Sequence, residues 1–302
     1  MNYGNLGVVF DSQGEYLKAI EYHNMALQIR KELGDKHNEC SDYTNIGAAY
    51  QSLSDYSKVL EYHEKALQIR REIGDQAGLA NSYGNLGNVY HCLGEHKEAV
   101  KRYEEALEIS VRIEDRLSET ILYGNIGTAY TALGDYDKAL TYIETALELA
   151  VELNMKKEEG TQYRSLADLF RLQGEYIKSI EHSRRALEIH LEIGDKYGES
   201  DCYENLGSVY ESVGDYTLAI ENHKKALHIT KEIGDKNGQG MACAKLGLCL
   251  AWSGDISKAL QYLSESIDVY EGVRGLLGDK DHFKVSFSDR NIFPYKDRKS
   301  VV

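Results

Sequence analysis

The sequence of 302 residues has 35 lysines and arginines against 49 aspartates and glutamates, a formal net charge of −14. This acidic balance argues against a nucleic-acid backbone or an anionic membrane as the main partner, because both carry negative charge themselves. The sole proline is Pro294, so the preceding residues can be helical nearly throughout.

One segment of the chain recurs every 40 residues. It runs from Tyr83 to Leu107 and reads YGNLGNVYHCLGEHKEAVKRYEEAL. Three of its positions recur in register: Tyr83 as Tyr3, Tyr43, Tyr123, Tyr163 and Tyr203; Gly87 as Gly7, Gly47, Gly127, Gly207 and Gly247; Ala106 as Ala26, Ala66, Ala146, Ala186 and Ala226. A fixed period in this range is typical of a solenoid.

Each repeat predicts two helices. In the first repeat, one buried helical face with spacing i, i+3, i+4, i+7 is formed by Tyr3, Leu6, Gly7 and Phe10. Gly14 predicts a break, and the apolar stripe between Tyr16 and Leu33 predicts the second helix. Gly34–Asp35 then ends that helix, because glycine suits the left-handed position after a helix and aspartate suits the next N-cap.

A glycine recurs inside every predicted first helix except the fifth. In a helix interior, glycine costs about 1 kcal/mol relative to alanine. Its repetition predicts a close approach between the two helices. We expect the glycine to receive a bulky side chain of the second helix, such as Tyr22, Tyr62 or Tyr142.

The order of small and bulky residues resembles the tetratricopeptide repeat (TPR). The residues that carry the resemblance are Tyr83, Leu86, Gly87, Tyr90, Gly94, Ala99 and Ala106. The usual repeat has 34 residues and a proline after its second helix, whereas this chain ends its longer second helix with Gly-Asp. The resemblance covers about residues 1–272 and implies an all-α fold, a right-handed α-solenoid of about seven helix-turn-helix units.

Seven units fit the period, and the fifth is aberrant. The expected boundaries are 1–40, 41–80, 81–120, 121–160, 161–200, 201–240 and 241–275, followed by a C-terminal tail or linker at 276–302. In the fifth unit Ala167 replaces the glycine and Ser165 replaces an asparagine.

The 40-residue repeat resembles the repeats of LGN/Pins-type adaptors, and its amino-acid sequence is also similar to the repeat arrays of TPR–CHAT proteins. The segment VYEGVRGLLGDKDHFKVSFSDR resembles the link to a CHAT domain, a caspase-like fold. This implies a further domain beyond the chain. Met1 lies inside the first predicted helix, which is also consistent with a fragment.

The histidines do not form a recognisable metal or catalytic pattern. His23, His63 and His223 occupy one repeat position, where Tyr103 and Ile143 also stand. A position that accepts tyrosine and isoleucine is a packing position, and neither HExxH nor CxxC occurs. HCLGEH at 91–96 is interpreted as a turn. We therefore expect no metal, no cofactor, no catalytic residue and no enzyme activity.

A ladder of asparagines is the better candidate for a site. It consists of Asn5, Asn45, Asn85, Asn125 and Asn205, each one residue before the first-helix leucine or isoleucine and so facing away from the packed stripe. An asparagine amide both donates and accepts, which suits the main chain of an extended peptide. The alternative is structural: each asparagine bonds the neighbouring repeat and sets its angle. The LGN/Pins resemblance favours binding on the concave wall formed by first helices.

Small polar residues are expected beside the ladder, among them Asn88. The fifth unit instead offers Arg164, Asp168 and Arg171. Arg164 and Asp168 are spaced to pair as i, i+4. Alternatively, one arginine holds an acidic side chain of a bound segment. The candidate peptide-binding residues are Asn45, Asn85, Asn88, Asn125, Asn205, Arg164 and Arg171.

Five cysteines, an odd number without a CxxC pair, predict reduced thiols. The N-terminal sequence MNYGNLG shows no secretory signal, and no stretch reaches the roughly 20 apolar residues of a membrane span. We expect a cytoplasmic protein with no membrane span.

The leading hypothesis is a protein–protein interaction scaffold or adaptor, whose concave face binds an extended or helical peptide segment. The alternative is a regulatory arm of a CHAT-type protein whose enzyme domain lies outside this chain. The partner is a protein or peptide and not a nucleic acid, and self-association through uncapped ends is a third hypothesis.

Overall fold

The computed structural model describes residues 3–53 and 55–276. Fourteen α-helices and no strand occur within these residues, which confirms the all-α repeat fold. They fall into two compact units, the first ending at Asp135 and the second beginning at Tyr136. The tail expected at 276–302 lies outside the described residues from 277 onwards. None of the described helices has the length and apolar character needed to cross a membrane.

Unit one contains seven helices. They are α1 (Tyr3–Ser12), α2 (Tyr16–Leu33), α3 (Lys36–Ser52), α4 (Tyr56–Ile73), α5 (Gln76–Cys92), α6 (His96–Arg112) and α7 (Arg116–Leu133). Each helix packs against the next along the chain. Around α5 the core is formed by Leu67, Leu79, Ala80, Leu86 and Ile109.

Unit two also contains seven helices. They are α8 (Tyr136–Glu152), α9 (Lys156–Leu172), α10 (Tyr176–Ile193), α11 (Lys196–Ser212), α12 (Tyr216–Ile233), α13 (Lys236–Trp252) and α14 (Ile256–Leu276). Successive helices again pack together, and α9 also contacts α11. The core around α13 is formed by Leu227, Ala242, Cys243, Leu246, Leu250 and Ala259.

The Gly-Asp pairs end and start helices as expected. Gly34 has φ 69° in the left-handed region, and the Asp35 carboxylate accepts a hydrogen bond from the backbone N–H of Asn38. The same arrangement recurs at Gly74–Asp75, Gly194–Asp195 and Gly234–Asp235. The residue that follows the second helix therefore requires a positive φ. Glu114 (58°), before Asp115, and Asn154 (53°), before Met155, adopt it without being glycine.

The first-helix glycines receive a side chain of the second helix, but at Gly7 and Gly47 it is not the expected Tyr22 or Tyr62. A Cβ built on Gly7 would lie 2.6 Å from the His23 ring, and one on Gly87 would lie 2.5 Å from the Tyr103 ring. Consecutive helical residues point about 100° apart, so Tyr22 points elsewhere. Its ring stacks on Phe10, with centroids 5.0 Å apart.

We call the residues that cover these glycines the crossing column. Its members include His23, His63, Tyr103 and His223, which cover Gly7, Gly47, Gly87 and Gly207 respectively. All four side chains are buried. The interpretation of this histidine position as a packing position is thereby confirmed.

Replacing Glu114 by glycine should raise the free energy of unfolding by about 0.5–1 kcal/mol. A left-handed conformation costs a residue with a Cβ about 1–2 kcal/mol, which outweighs the extra unfolded-state freedom of glycine. Asn154→Gly should gain less, because asparagine tolerates this conformation. Urea denaturation of each variant measures the difference. Gly74→Ala is the matched reverse change, since an added Cβ there meets nothing within 4 Å. Equal gains at both sites would contradict the explanation.

Acidification should destabilise the protein partly through His63. Burial, together with Arg70, lowers the pKa of His63 to about 4, whereas an unfolded histidine titrates near pH 6.5. The unfolded state therefore binds the proton more readily, and stability is lost as the pH falls from about 6.5 to 4. The full loss is about 3 kcal/mol.

His63→Tyr, which introduces the residue found at Tyr103, should remove this share of the pH dependence. Denaturation at pH 7.5, 5.5 and 4.5 should show wild type losing about 2–3 kcal/mol more than the variant by pH 4.5. His37→Gln, at an exposed histidine, should behave as wild type. Parallel pH curves for wild type and His63→Tyr would contradict the assignment.

Candidate functional site

The candidate residues lie on first helices of successive repeats. Asn45 lies on α3, Asn85 and Asn88 on α5, Asn125 on α7, Arg164 and Arg171 on α9, and Asn205 on α11. The structure places six of these seven in two surface grooves, one in each unit, while Asn45 lines neither.

The unit-one groove lies between α5 and α7 and encloses about 130 Å³. Its lining is Ala80, Asn81, Gly84, Asn85, Asn88, Ser110, Ser118, Ile121, Leu122 and Asn125. Asn81, Asn85 and Asn88 are spaced i, i+4, i+7 and so follow one face of α5. The groove therefore presents four amides against a partly apolar floor without a charged side chain.

The amides of this groove differ in their bonding. Asn88 accepts a hydrogen bond from the Tyr103 hydroxyl, 2.8 Å from its Oδ1, so the side chain in the crossing column also orients Asn88. The half-buried side chains of Asn85 and Asn125 form no hydrogen bond within the described part of the chain. Their donors and acceptors are available to a ligand.

The unit-two groove is larger and charged. It encloses about 530 Å³ between α9, α11 and α13. Its polar and charged lining includes Arg164, Asp168, Arg171, Tyr197, Asp201, Glu204, Asn205, Ser208, Asp235 and Lys245. Opposite charges are interspersed, so this groove presents both anionic and cationic groups.

The expected pairing of Arg164 with Asp168 is wrong. Asp168 pairs with Arg171, whose Nε and Nη2 lie 3.2 and 2.5 Å from the same carboxylate oxygen. Arg164 instead points across to α11, with its Nε 4.0 Å from Asp201. Both carboxylates are substantially exposed, so these pairs are weak and a ligand can replace them.

Asn205 has a structural role. Its Oδ1 accepts a hydrogen bond from the Ser183 hydroxyl, 3.1 Å away on α10 of the preceding repeat. Ser183 is completely buried. Asn205 therefore follows the structural alternative, in which an asparagine of the ladder bonds the neighbouring repeat.

Lys245 is a groove residue absent from the candidates predicted by sequence reasoning. Its ammonium lies 2.6 Å from Ser208 Oγ and 3.4 Å from Glu204. Lys245 stands 40 residues after Asn205, so it occupies the ladder position of the seventh repeat. That substitution was the available signal.

Glu204 connects the groove to the crossing column. Its Oε2 lies 3.4 Å from His223 Nδ1 as well as from Lys245. Burial opposes ionisation of Glu204, but His223 and Lys245 together hold its pKa below the usual value. Deeper in the same region, burial and the neighbouring Glu211 raise the pKa of Cys249 to about 12.

Comparison with known families matches the tetratricopeptide repeat model to overlapping stretches of this chain. The matches span residues 1–72, 43–112, 78–152, 117–190 and 158–232. No curated protein matches the sequence.

Several solved structures share the fold. The apo form of RapI has a TM-score of 0.73 at 18% identity, with 90% of this chain and 98% of that chain covered. The Rap conjugation gene regulator of plasmid pLS20, in complex with the Phr* peptide, has 0.67 at 15%, covering 90% and 73%. BtubC (BKLC) from P. vanneervenii has 0.56 at 21%, covering 75% and 92%. At these identities the likeness concerns the fold alone.

Asn205→Ala should lower the free energy of unfolding by about 1–3 kcal/mol, because it leaves the buried Ser183 hydroxyl without its acceptor. Asn85→Ala and Asn125→Ala should stay within about 0.5 kcal/mol of wild type. Chemical denaturation of the three variants tests the contrast.

Ser183→Ala in the Asn205→Ala background closes a double-mutant cycle. The second substitution should cost less in that background than in wild type, since the hydrogen bond is already lost. Additive effects would show that the two side chains do not support each other.

Proposed function

Because the chain belongs to the tetratricopeptide-repeat family, we propose that it is a protein-interaction adaptor. In each unit, the first-helix residues that line the groove bind an extended or helical segment of another protein. Each groove is prefolded, so the ordering of the bound segment is the main conformational cost of binding.

The observation that carries this proposal is the row of amides in the unit-one groove. Asn85 and Asn125 present side-chain amides that no described residue engages. A peptide backbone offers a donor and an acceptor at each residue, and amide side chains can match both. The apolar floor at Leu122 suits a small apolar side chain of the bound segment.

The unit-two groove supports a segment with charged side chains. Among the described residues, Arg164 and Arg171 pair only with exposed carboxylates, so an acidic ligand side chain can bind either guanidinium bidentately in their place. Lys245 adds a further cation beside Ser208. A basic ligand side chain would meet Asp201 and Asp168 in the same groove.

The structural neighbours support the proposal as an analogy of fold. The pLS20 Rap regulator was solved with a peptide bound. Peptide binding is therefore within the range of this architecture.

A regulatory arm of a CHAT-type protein is the alternative, but its sequence support comes from a segment that lies mostly outside the described residues. We propose a cytosolic setting, which is supported by the free state of all five cysteines.

Selection of a displayed random-peptide library on the full chain should yield ligands that require the first-helix amides. For a selected peptide, Asn85→Ala/Asn125→Ala should raise the Kd at least about tenfold, as loss of two hydrogen bonds of 0.5–1.5 kcal/mol each implies. Fluorescence anisotropy titration measures the change, and a thermal melt checks that folding is intact.

Asn24→Ala is the matched control, because the Asn24 amide bonds its own helix at Ile20 O on α2. It should leave the Kd unchanged. Arg164→Gln/Arg171→Gln tests the unit-two groove with the same peptides. If neither double variant weakens any selected peptide, the first-helix residues of the grooves are not the binding site and the proposal fails.

A further inference from the structure

Three metal-ligating side chains of unit two meet behind the groove. Glu211 lies in the last turn of α11, His223 lies in the middle of α12, and Cys249 lies near the end of α13. Glu211 Oε2 is 3.9 Å from His223 Nε2 and 3.9 Å from Cys249 Sγ, and the three donor atoms all lie within 4.8 Å of one another.

The imidazole of His223 is completely buried and makes no well-formed hydrogen bond with a described residue. Two carboxylates approach it: Glu204 Oε2 lies 3.4 Å from Nδ1, and Glu211 Oε2 lies 3.9 Å from Nε2. A buried polar group in this state costs free energy. Packing against Gly207 explains the position of the ring but not the choice of histidine, because Tyr103 fills the same position on Gly87.

The same three positions in another repeat lack the ligand set. Counting back 160 residues from Glu211, His223 and Cys249 leads to Gln51, His63 and Val89. His63 covers Gly47 as His223 covers Gly207. The carboxylate and thiol around His223 are therefore not required by the packing of the repeat.

We propose that Glu211, His223 and Cys249 bind a zinc ion, as a site independent of peptide binding. Zinc takes nitrogen, sulfur and oxygen ligands at about 2.0–2.3 Å in a tetrahedron, which sets the ligand atoms about 3.3–3.7 Å apart. The two separations from Glu211 Oε2, 3.9 Å each, exceed this by a few tenths of an ångström, and the third is at most 4.8 Å. Glu211, 27% exposed, has room to move toward the other two ligands. Magnesium and calcium prefer oxygen ligands alone.

The surrounding charges balance a divalent cation. On binding, the Cys249 thiol releases its proton to solvent and the sulfur binds as thiolate. Glu204, Glu211 and the thiolate then supply three negative charges, and Lys245, which faces the site from α13, supplies one positive charge. The net charge of −2 equals that needed to neutralise zinc, and a water molecule completes the tetrahedron at the exposed side of Glu211.

Zinc and cobalt titrations of the chelator-stripped full chain test the proposal. Competition with a chromophoric chelator should show one tightly bound zinc per chain, and Co²⁺ should give a thiolate-to-cobalt charge-transfer band. Cys249→Ser should abolish that band and weaken zinc binding at least about tenfold. Glu211→Gln, at the most exposed ligand, should also weaken zinc binding and keeps the test valid if Cys249→Ser does not fold.

Two cysteine controls separate this site from others. Cys92→Ser removes the exposed thiol between His91 and His96. Cys202→Ser removes a different buried thiol, which lies on α11 rather than on α13. Both should retain the zinc and the cobalt band. Loss of the band in Cys92→Ser but not in Cys249→Ser would overturn the assignment, as would absence of stoichiometric zinc in wild type.

Discussion

The contact between a first-helix glycine and a side chain of the second helix is the constraint on which the repeat depends. At Gly87 and Gly207 a Cβ would lie 2.5 Å from the opposing ring, so at these two crossings a larger residue would force the helices or the ring to shift. In the fifth repeat Ala167 replaces the glycine, and the column position is the small Ser183. The crossing fixes how one helix of the hairpin sits on the other. It thereby fixes which residues of the first helix remain exposed to line the grooves.

The crossing column is defined by shape, and its chemistry varies with its neighbours. His63 lies near Arg70 and is held neutral by burial. Tyr103 reaches past its glycine to orient Asn88 in the unit-one groove. His223 meets two carboxylates and a thiol. One packing position thus supplies an uncharged packing residue at His63, a link to the unit-one groove at Tyr103 and a candidate ligand at His223.

The two grooves show how a constant scaffold carries different surfaces. In unit one the exposed positions of α5 and α7 keep their amides, which leaves an uncharged polar surface. In unit two the substitutions of the fifth and seventh repeats place arginines and a lysine among acidic residues. The grooves are not isolated from the packing, because Asn205 bonds the buried Ser183 and Glu204 contacts His223.

The 40-residue period by itself determined the helical repeat, the turn glycines and the Gly-Asp caps, because these depend on local backbone conformation. It also identified the histidine position as packing. Only the tertiary structure decided which side chain covers each glycine, since that depends on the rotation of one helix against another. The same holds for the pairing of Asp168 with Arg171, for the bond from Ser183 to Asn205, and for the meeting of Glu211, His223 and Cys249. For Asp168, the spacing allows a pair with either Arg164 or Arg171 and does not choose between them. The other groups come from different helices, and no spacing along the chain encodes their contact.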